Sequence, residues 1–201
     1  MPSLEDEDLV VDILTGKGLR AERFSKEERR RGKTPDFRVF QGETLKFFCE
    51  VKSVEDDTWL DGKLDAAIPG EVVGGLRDDP VFNRLTDDIH QATAQFLAVN
   101  HDSLVPNVIV FVNHDSMCDE QDMISVLTGQ FLANDGTLHR IYNRFSEGRI
   151  KNDKFLIHLF CWVEEGDFRM LTFNQTQPDH CNVLCNLLSF DPAGINPLQS
   201  N

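Results

Sequence analysis

The chain has 201 residues, of which 40 % are hydrophobic and 27 % charged, a balance typical of a globular protein with an apolar core. Twenty Lys and Arg against 34 Asp and Glu give a net charge of −14, which argues against a protein that coats nucleic acid through its overall field. This charge still allows a nucleic-acid enzyme whose basic residues are concentrated where the substrate lies.

Membrane and secretion signals are missing from the sequence. No apolar run approaches the roughly 20 residues of a membrane helix, and the acidic N-terminus lacks the apolar segment of a secretory signal. The five cysteines are an odd number and scattered, which favours free thiols in a reducing compartment. Cys181 and Cys185 beside His180 lack the spacing of a zinc site. We therefore expect a cytoplasmic protein without structural zinc.

The first third of the chain predicts one helix and three strands. An apolar stripe predicts a helix over residues 4–15, ended by Gly16 and Gly18. A short strand is predicted at 19–25, followed by a charged segment at 26–33 that we predict to be a loop. Two further strands, residues 36–40 and 45–52, are joined by a turn around 41–44.

The rest of the chain continues with alternating helices and strands. Residues 53–82, rich in Asp and Gly, predict an irregular insertion of the kind that is disordered or forms a lid. The tail after Asp191 predicts a frayed terminus. Helices are predicted at residues 83–100 and 119–132, and strands at 108–112, 155–163 and 169–173. We expect a core at residues 1–113 and an extension at 114–201 that packs on the same sheet.

The apolar pattern of the two hairpin strands fixes their register. Side chains alternate across a strand, so Phe37 and Val39 share one face while Asp36 lies on the other. To meet the apolar face of the next strand, opposing residues must have an even sum of numbers. A three-residue turn gives this register and sets Asp36 opposite Glu50, whereas a two-residue turn would send Asp36 to the wrong face. Lys52 shares the face of Glu50, and we expect these side chains in a solvent-accessible cleft.

This arrangement of charges favours metal-dependent hydrolysis. Two carboxylates at cross-strand distance repel each other and are stable mainly when a divalent cation lies between them. Oxygen ligands with open water positions suit Mg²⁺ or Mn²⁺. A lysine beside the metal can orient or deprotonate the attacking water and help to neutralise a phosphate. Phosphodiester hydrolysis is the reaction that these groups fit best.

Pro35-Asp36, a spacer of thirteen residues and Glu50-Val51-Lys52 together resemble the PD-(D/E)XK motif of the restriction-endonuclease-like nucleases. The predicted order αβββαβ over roughly residues 4–113 is similar to the common core of that superfamily. The resemblance implies an α/β fold with this core, a mixed central sheet and a C-terminal α/β elaboration. It also implies a Mg²⁺- or Mn²⁺-dependent nuclease that acts on DNA rather than RNA, in restriction, repair or phage defence.

The resemblance also assigns roles to individual residues. Asp36 and Glu50 become metal ligands, the Val51 backbone carbonyl a further ligand, and Lys52 the catalytic lysine. Many relatives add an acid from the first helix and a Gln from the helix after the motif, for which the candidates here are Glu7 or Asp8 and Gln91 or Gln95.

Other interpretations stay open at this point. The basic residues before the motif (Arg29, Arg30, Arg31 and Lys33) either contact phosphate or form a solvated surface balanced by neighbouring acids. The chain can also be a catalytically silent module of the same fold that binds a protein partner, a homodimer partner or nucleic acid. A third interpretation is an unrelated α/β protein with a surface cluster of ion pairs.

Overall fold

The computed structural model describes residues 3–55, 59–74, 81–133, 135–141, 147–174, 177–191 and 196–198. Within these ranges the helices are α1 (Leu4–Gly16), α2 (Lys26–Arg31), α3 (Trp59–Ala66), α4 (Val81–Val99), α5 (Glu120–Thr128) and α6 (Pro178–Leu188). The strands are β1 (Arg20–Arg23), β2 (Phe37–Gln41), β3 (Thr44–Val54), β4 (Asn107–Asn113), β5 (Gln130–Leu132), β6 (Leu138–Arg140), β7 (Leu159–Glu164), β8 (Asp167–Asn174) and β9 (Asn196–Leu198).

A mixed sheet of seven strands, in the order β1-β2-β3-β4-β7-β8-β9, forms the centre of the protein. Strands β3, β4 and β7 run parallel to one another, while β1, β2 and β3 pair antiparallel. Strands β5 and β6 form a separate antiparallel pair. The mixed α/β architecture predicted from the sequence is therefore confirmed.

Apolar side chains cover both faces of this sheet. Every residue of β4 is buried, and its side chains alternate between two clusters. Phe111 packs with α4 and α5 on one face, whereas Val110 packs with α1 and α6 on the other. Strand β4 is therefore covered on both faces, and the adjacent strand β3 lies between the same two layers.

The β2–β3 hairpin reaches the predicted register by a different route. Phe37 pairs with Cys49, as predicted, but Gln41 pairs with Thr44, so the turn has two residues rather than three. A β-bulge beside Val39 leaves Lys46 without an opposing residue and changes the sum of paired residue numbers from odd to even. The predicted three-residue turn is wrong. The bulge nevertheless puts the apolar side chains of the two strands on the same face of the sheet, as a three-residue turn would.

Two segments predicted to be irregular contain helices. Residues 26–31 form α2 because Ser25 and Glu28 make a reciprocal capping box, in which each side chain accepts the other residue's backbone N–H. Within the predicted 53–82 insertion, residues 59–66 form α3. Residues 56–58 and 75–80 of that insertion lie outside the described ranges.

The C-terminal half departs further from the sequence-based expectation. Helix α5 ends at Thr128 because Gly129 adopts a left-handed conformation with φ 70°, and β5 follows where the helix was predicted to continue. Strand β7 begins at Leu159 rather than at residue 155, which lies in a 3₁₀ turn. Helix α6 was not predicted, and residues 196–198 of the supposedly frayed tail pair with β8.

No helix in the described ranges has both the length and the apolar character needed to cross a membrane. The cytoplasmic location and the division of the chain at residue 113 stay predictions.

Candidate functional site

A cleft of about 1080 Å³ opens beside the start of β2. Its floor is formed by β3, and its walls are formed by α1, α2 with the following segment, and α4. The lining includes all of the side chains singled out from the sequence as site candidates apart from Asp8: Glu7, Arg29, Arg30, Arg31, Lys33, Asp36, Glu50, Lys52, Gln91 and Gln95.

Asp36 and Glu50 are joined by hydrogen bonds at the floor of the cleft. The backbone N–H of Asp36 donates to Oε2 of Glu50 at 3.1 Å. The backbone N–H of Val51 donates to Oδ2 of Asp36 at 2.9 Å, so the carboxylate of the residue just before β2 is bonded to β3. Nζ of Lys52 lies 2.9 Å from Oε1 of Glu50. The three residues predicted from the strand register therefore lie within direct reach of one another.

The expected solvent exposure of this group is wrong for two of its members. Glu50 is 1 % exposed and Lys52 is 7 % exposed, because β3 lies in the middle of the sheet and the cleft walls cover it. Asp36, which directly precedes β2, keeps partial contact with solvent.

Burial perturbs both carboxyl groups. Removal from water and, to a lesser extent, the neighbouring Asp36 raise the pKa of Glu50 to about 8, against the opposing effect of Lys52. Burial also raises the pKa of Asp36, against the hydrogen bond from Val51 that lowers it. Two acids that both resist ionisation in one cleft favour a cation as their partner.

Helix α4 supplies a polar wall. Nε2 of Gln95 donates to the carbonyl of Thr34 at 3.0 Å, which fixes the segment that leads into Asp36. Oε1 of Gln95 is buried and has no hydrogen-bond partner among the described residues. Gln91 and Asp88 lie on the same face of the helix as Gln95, one and two turns before it.

Asp88 was not identified from the sequence. Burial raises the pKa of its carboxyl group, and Lys52 lowers it. The signal that could have found it is the helical spacing of residues 88, 91 and 95, which continues the stripe of the two Gln residues.

The candidate acid of α1 is already paired. Glu7 is buried, lines the cleft and accepts a hydrogen bond from Nε of Arg23 at 2.8 Å. Asp8 is exposed and accepts from Nη2 of the same arginine at 2.8 Å. Of the two candidates, only Glu7 therefore faces the site, and its charge raises the pKa of Asp36.

A second acid of α1, Asp6, ties this helix to the sheet. It is buried and bonds to the hydroxyl of Ser53 and, at 2.8 Å, to Nε2 of His114. Sequence reasoning missed this residue, because neither partner is near it in the chain. The contact holds α1, and with it Glu7, against the end of β3.

The basic residues of α2 and the next segment form one rim of the cleft, which we call the basic rim: Arg29, Arg30, Arg31 and Lys33. All four side chains are exposed, and none has an ion-pair partner within the described residues. Glu28, the acid expected to balance them, pairs instead with Arg38. That pairing lowers the pKa of Glu28 to about 2.

The donor set fits a hard divalent cation. In the described parts of the chain, no three side chains of His, Cys, Asp and Glu come together as a metal-binding group. Asp36 and Glu50 nevertheless offer carboxylate oxygens, and Mg²⁺ typically binds through one or two carboxylates and keeps several waters. Two coupled acids with a backbone oxygen beside them match that requirement.

Comparisons of the chain with protein-family models, with curated proteins and with solved structures find no match. The cleft geometry therefore carries the functional argument. It combines a hydrogen-bonded acid pair, a lysine bonded to one of the acids, and a rim of cations that have no ion-pair partner in the described part of the chain.

Proposed function

We propose that the chain is a divalent-metal-dependent nuclease of the PD-(D/E)XK type that hydrolyses phosphodiester bonds, in DNA rather than RNA. The observation that carries this proposal is the hydrogen-bonded pair of Asp36 and Glu50, with Lys52 bonded to the second acid, at the floor of a cleft with a basic rim. The order of elements in the first half, α1-β1-β2-β3-α4-β4 with α2 and α3 added, supports the resemblance.

Asp36 and Glu50 would hold Mg²⁺ or Mn²⁺. The Val51 carbonyl is the expected third protein ligand, since the N–H and C=O of one strand residue point to the same side and the Val51 N–H points to Asp36. The bound metal supplies a water of lowered pKa and positive charge for the phosphoryl oxygens. Glu7 lines the cleft and is a candidate for a further ligand, although its carboxylate is paired with Arg23.

Lys52 and the basic rim act on the substrate. The ammonium of Lys52 is fixed by Glu50 and is nearly shielded from solvent, so its charge is screened little. It can orient the attacking water and stabilise the negative charge that develops on the phosphate. The basic rim binds neighbouring phosphates, and Gln95 keeps the connecting segment in place through the Thr34 carbonyl.

Calorimetric titration with Mg²⁺ and Mn²⁺ separates this proposal from its rivals. We expect one divalent ion to bind to the parent and binding to be lost in Asp36→Asn. Asp12→Asn, which changes an exposed acid on α1 outside the cleft, is the matched control and should bind as the parent does.

Two outcomes would count against the proposal. Binding that survives Asp36→Asn would exclude this site, and an ion that binds without any hydrolysis of DNA or RNA would favour a catalytically silent binding module.

A further inference from the structure

We infer that the cleft accepts a single strand of nucleic acid, held by its phosphates, and excludes an intact duplex. This inference rests on the proposed nuclease function and names its substrate class. Depth, the distribution of charge and the chemistry of the lining each support it.

The reacting groups are almost fully buried at the floor of the cleft. The side chains of Glu50 and Lys52 are only 2 % and 9 % exposed, at the floor of a cleft with walls on α1, α2 and α4. Duplex DNA is stiff over about 50 nm and carries its phosphates on the outside of a rod. A single strand can bend its backbone into the cleft and bring one phosphate to these buried groups, a bend that the stiffness of a duplex opposes.

Among the described residues that line the cleft, the exposed cations lie on one wall. The four exposed cations of the cleft all belong to the basic rim, at residues 29–33. The facing wall on α4 presents Asp88, Gln91 and Gln95, and α1 presents Glu7. A duplex brings two phosphate backbones, so it would place one of them against the neutral and acidic wall. A single strand needs only one basic track.

The lining also indicates how the strand is held. Among the described residues that line the cleft, none is aromatic, so base stacking has no platform there. Binding should therefore depend on phosphate contacts, which makes it salt-dependent and tolerant of sequence.

Fluorescence anisotropy of a labelled 20-nucleotide strand and of the matching blunt duplex, in EDTA and over a KCl series, tests the inference on the intact chain. We expect the single strand to bind at least about tenfold more tightly than the duplex. The plot of log affinity against log salt should have a slope of about −0.7 for each rim cation that contacts a phosphate. Equal binding of the two forms, or binding of neither, would overturn the inference.

Two variants of one helix provide the internal control. Arg30→Ala removes a cation of the basic rim and should reduce the salt slope by about 0.7. Lys26→Ala removes an exposed cation of the same helix that does not line the cleft, and should leave both affinity and slope unchanged. Equal losses from both variants would indicate a general charge effect and would contradict the inference.

Cleavage in Mn²⁺ distinguishes a wrong substrate class from a wrong function. Cutting of single strands, with duplexes cut only in unpaired ends or flaps, supports the inference, and DNA and RNA strands can be compared directly. If blunt duplexes are cut as fast as single strands, the substrate class is wrong but the nuclease proposal survives. If single strands bind as described but nothing is cut, the nuclease proposal fails while the binding preference stands.

Discussion

Glu50 is subject to opposing influences from its neighbours. Its carboxylate accepts a backbone hydrogen bond from Asp36 and pairs with Lys52, yet burial and the charge of Asp36 favour its protonated form. With a pKa of about 8, Glu50 is largely neutral at pH 7 in the metal-free protein. A metal ligand must be ionised, so binding of the ion has to displace this proton.

Metal affinity should therefore increase with pH. Below about pH 8 the proton on Glu50 competes with the ion, and affinity should approach a tenfold gain per pH unit if one proton is released. Above about pH 8 the metal affinity should no longer increase with pH. Calorimetry in two buffers of different ionisation enthalpy counts the released protons directly. Affinity that stays constant between pH 6 and pH 8 would show that Glu50 is not the ligand that titrates.

Lys52 should contribute to catalysis rather than to metal binding. Lys52→Met keeps the volume of the buried side chain and removes its charge, so the fold should be retained. We expect Mg²⁺ to bind with at least the parent's affinity, because a positive neighbour is lost. Cleavage should fall by about 100-fold or more if the lysine acts on the attacking water. Lys63→Met, on the exposed surface of α3, is the control, and parental cleavage by Lys52→Met would refute the role.

Arg23 determines whether Glu7 can act as a ligand. Because its guanidinium neutralises Glu7, the variant Glu7→Gln should change Mg²⁺ affinity little in the parent. Arg23→Gln removes the cation that pairs with Glu7 and leaves an uncompensated carboxylate near Asp36. This variant should therefore raise Mg²⁺ affinity several-fold. Arg20→Gln, on the same strand but paired with Glu22, is the control. A loss of affinity in Glu7→Gln as large as in Asp36→Asn would show that Glu7 binds the metal in spite of its arginine.

At the scale of secondary structure, the bulge in β3 sets the register of the site. Lys46 has no opposing residue, so its deletion should produce a regular two-residue hairpin that still sets Asp36 beside Glu50. Deletion of Phe40, on the opposite strand, should instead shift Asp36 by one step along β3. We expect Mg²⁺ binding to persist in the first variant and to be lost in the second. A folded Lys46 deletion that no longer binds the ion would contradict this account.

Periodic apolar patterns predicted the long elements well, and local hydrogen bonding explains the failures. Strand β4 was predicted correctly because it is a continuous apolar run. The register of β2 with β3, in which paired residue numbers have an even sum, followed from the burial pattern alone. The bulge could not be foreseen, since it adds a residue without changing the apolar pattern. Helix α2 was missed because its charged residues conceal a capping box, and α5 was extended too far because the left-handed Gly129 was read as helical.

Across the whole molecule, the sequence predicted the site better than its surroundings. Residues close in number on paired strands, such as Asp36 and Glu50, can be brought together by register. Asp6 and His114 meet only because α1 packs against the ends of β3 and β4, which a single sequence does not specify. The burial of Lys52 likewise depends on helices that cover β3 from distant parts of the chain.

Charge is distributed unevenly over the molecule. The net charge is −14, but four cations without ion-pair partners in the described residues are concentrated along one rim of one cleft. A protein of this kind should repel nucleic acid over most of its surface and hold it at one place. That distribution suits an enzyme that engages a short stretch of strand rather than a protein that coats long stretches.

The proposed activity is the hydrolysis of phosphodiesters by Asp36, Glu50 and Lys52 with the aid of a divalent ion. Its most direct test is the cleavage of an end-labelled single strand by the purified chain in Mn²⁺, in parallel with Asp36→Asn and with the parent in EDTA. We predict products with the parent in Mn²⁺ and none in the other two reactions. Equal cleavage by Asp36→Asn, or no cleavage by the parent in Mn²⁺ or Mg²⁺, would contradict the claim.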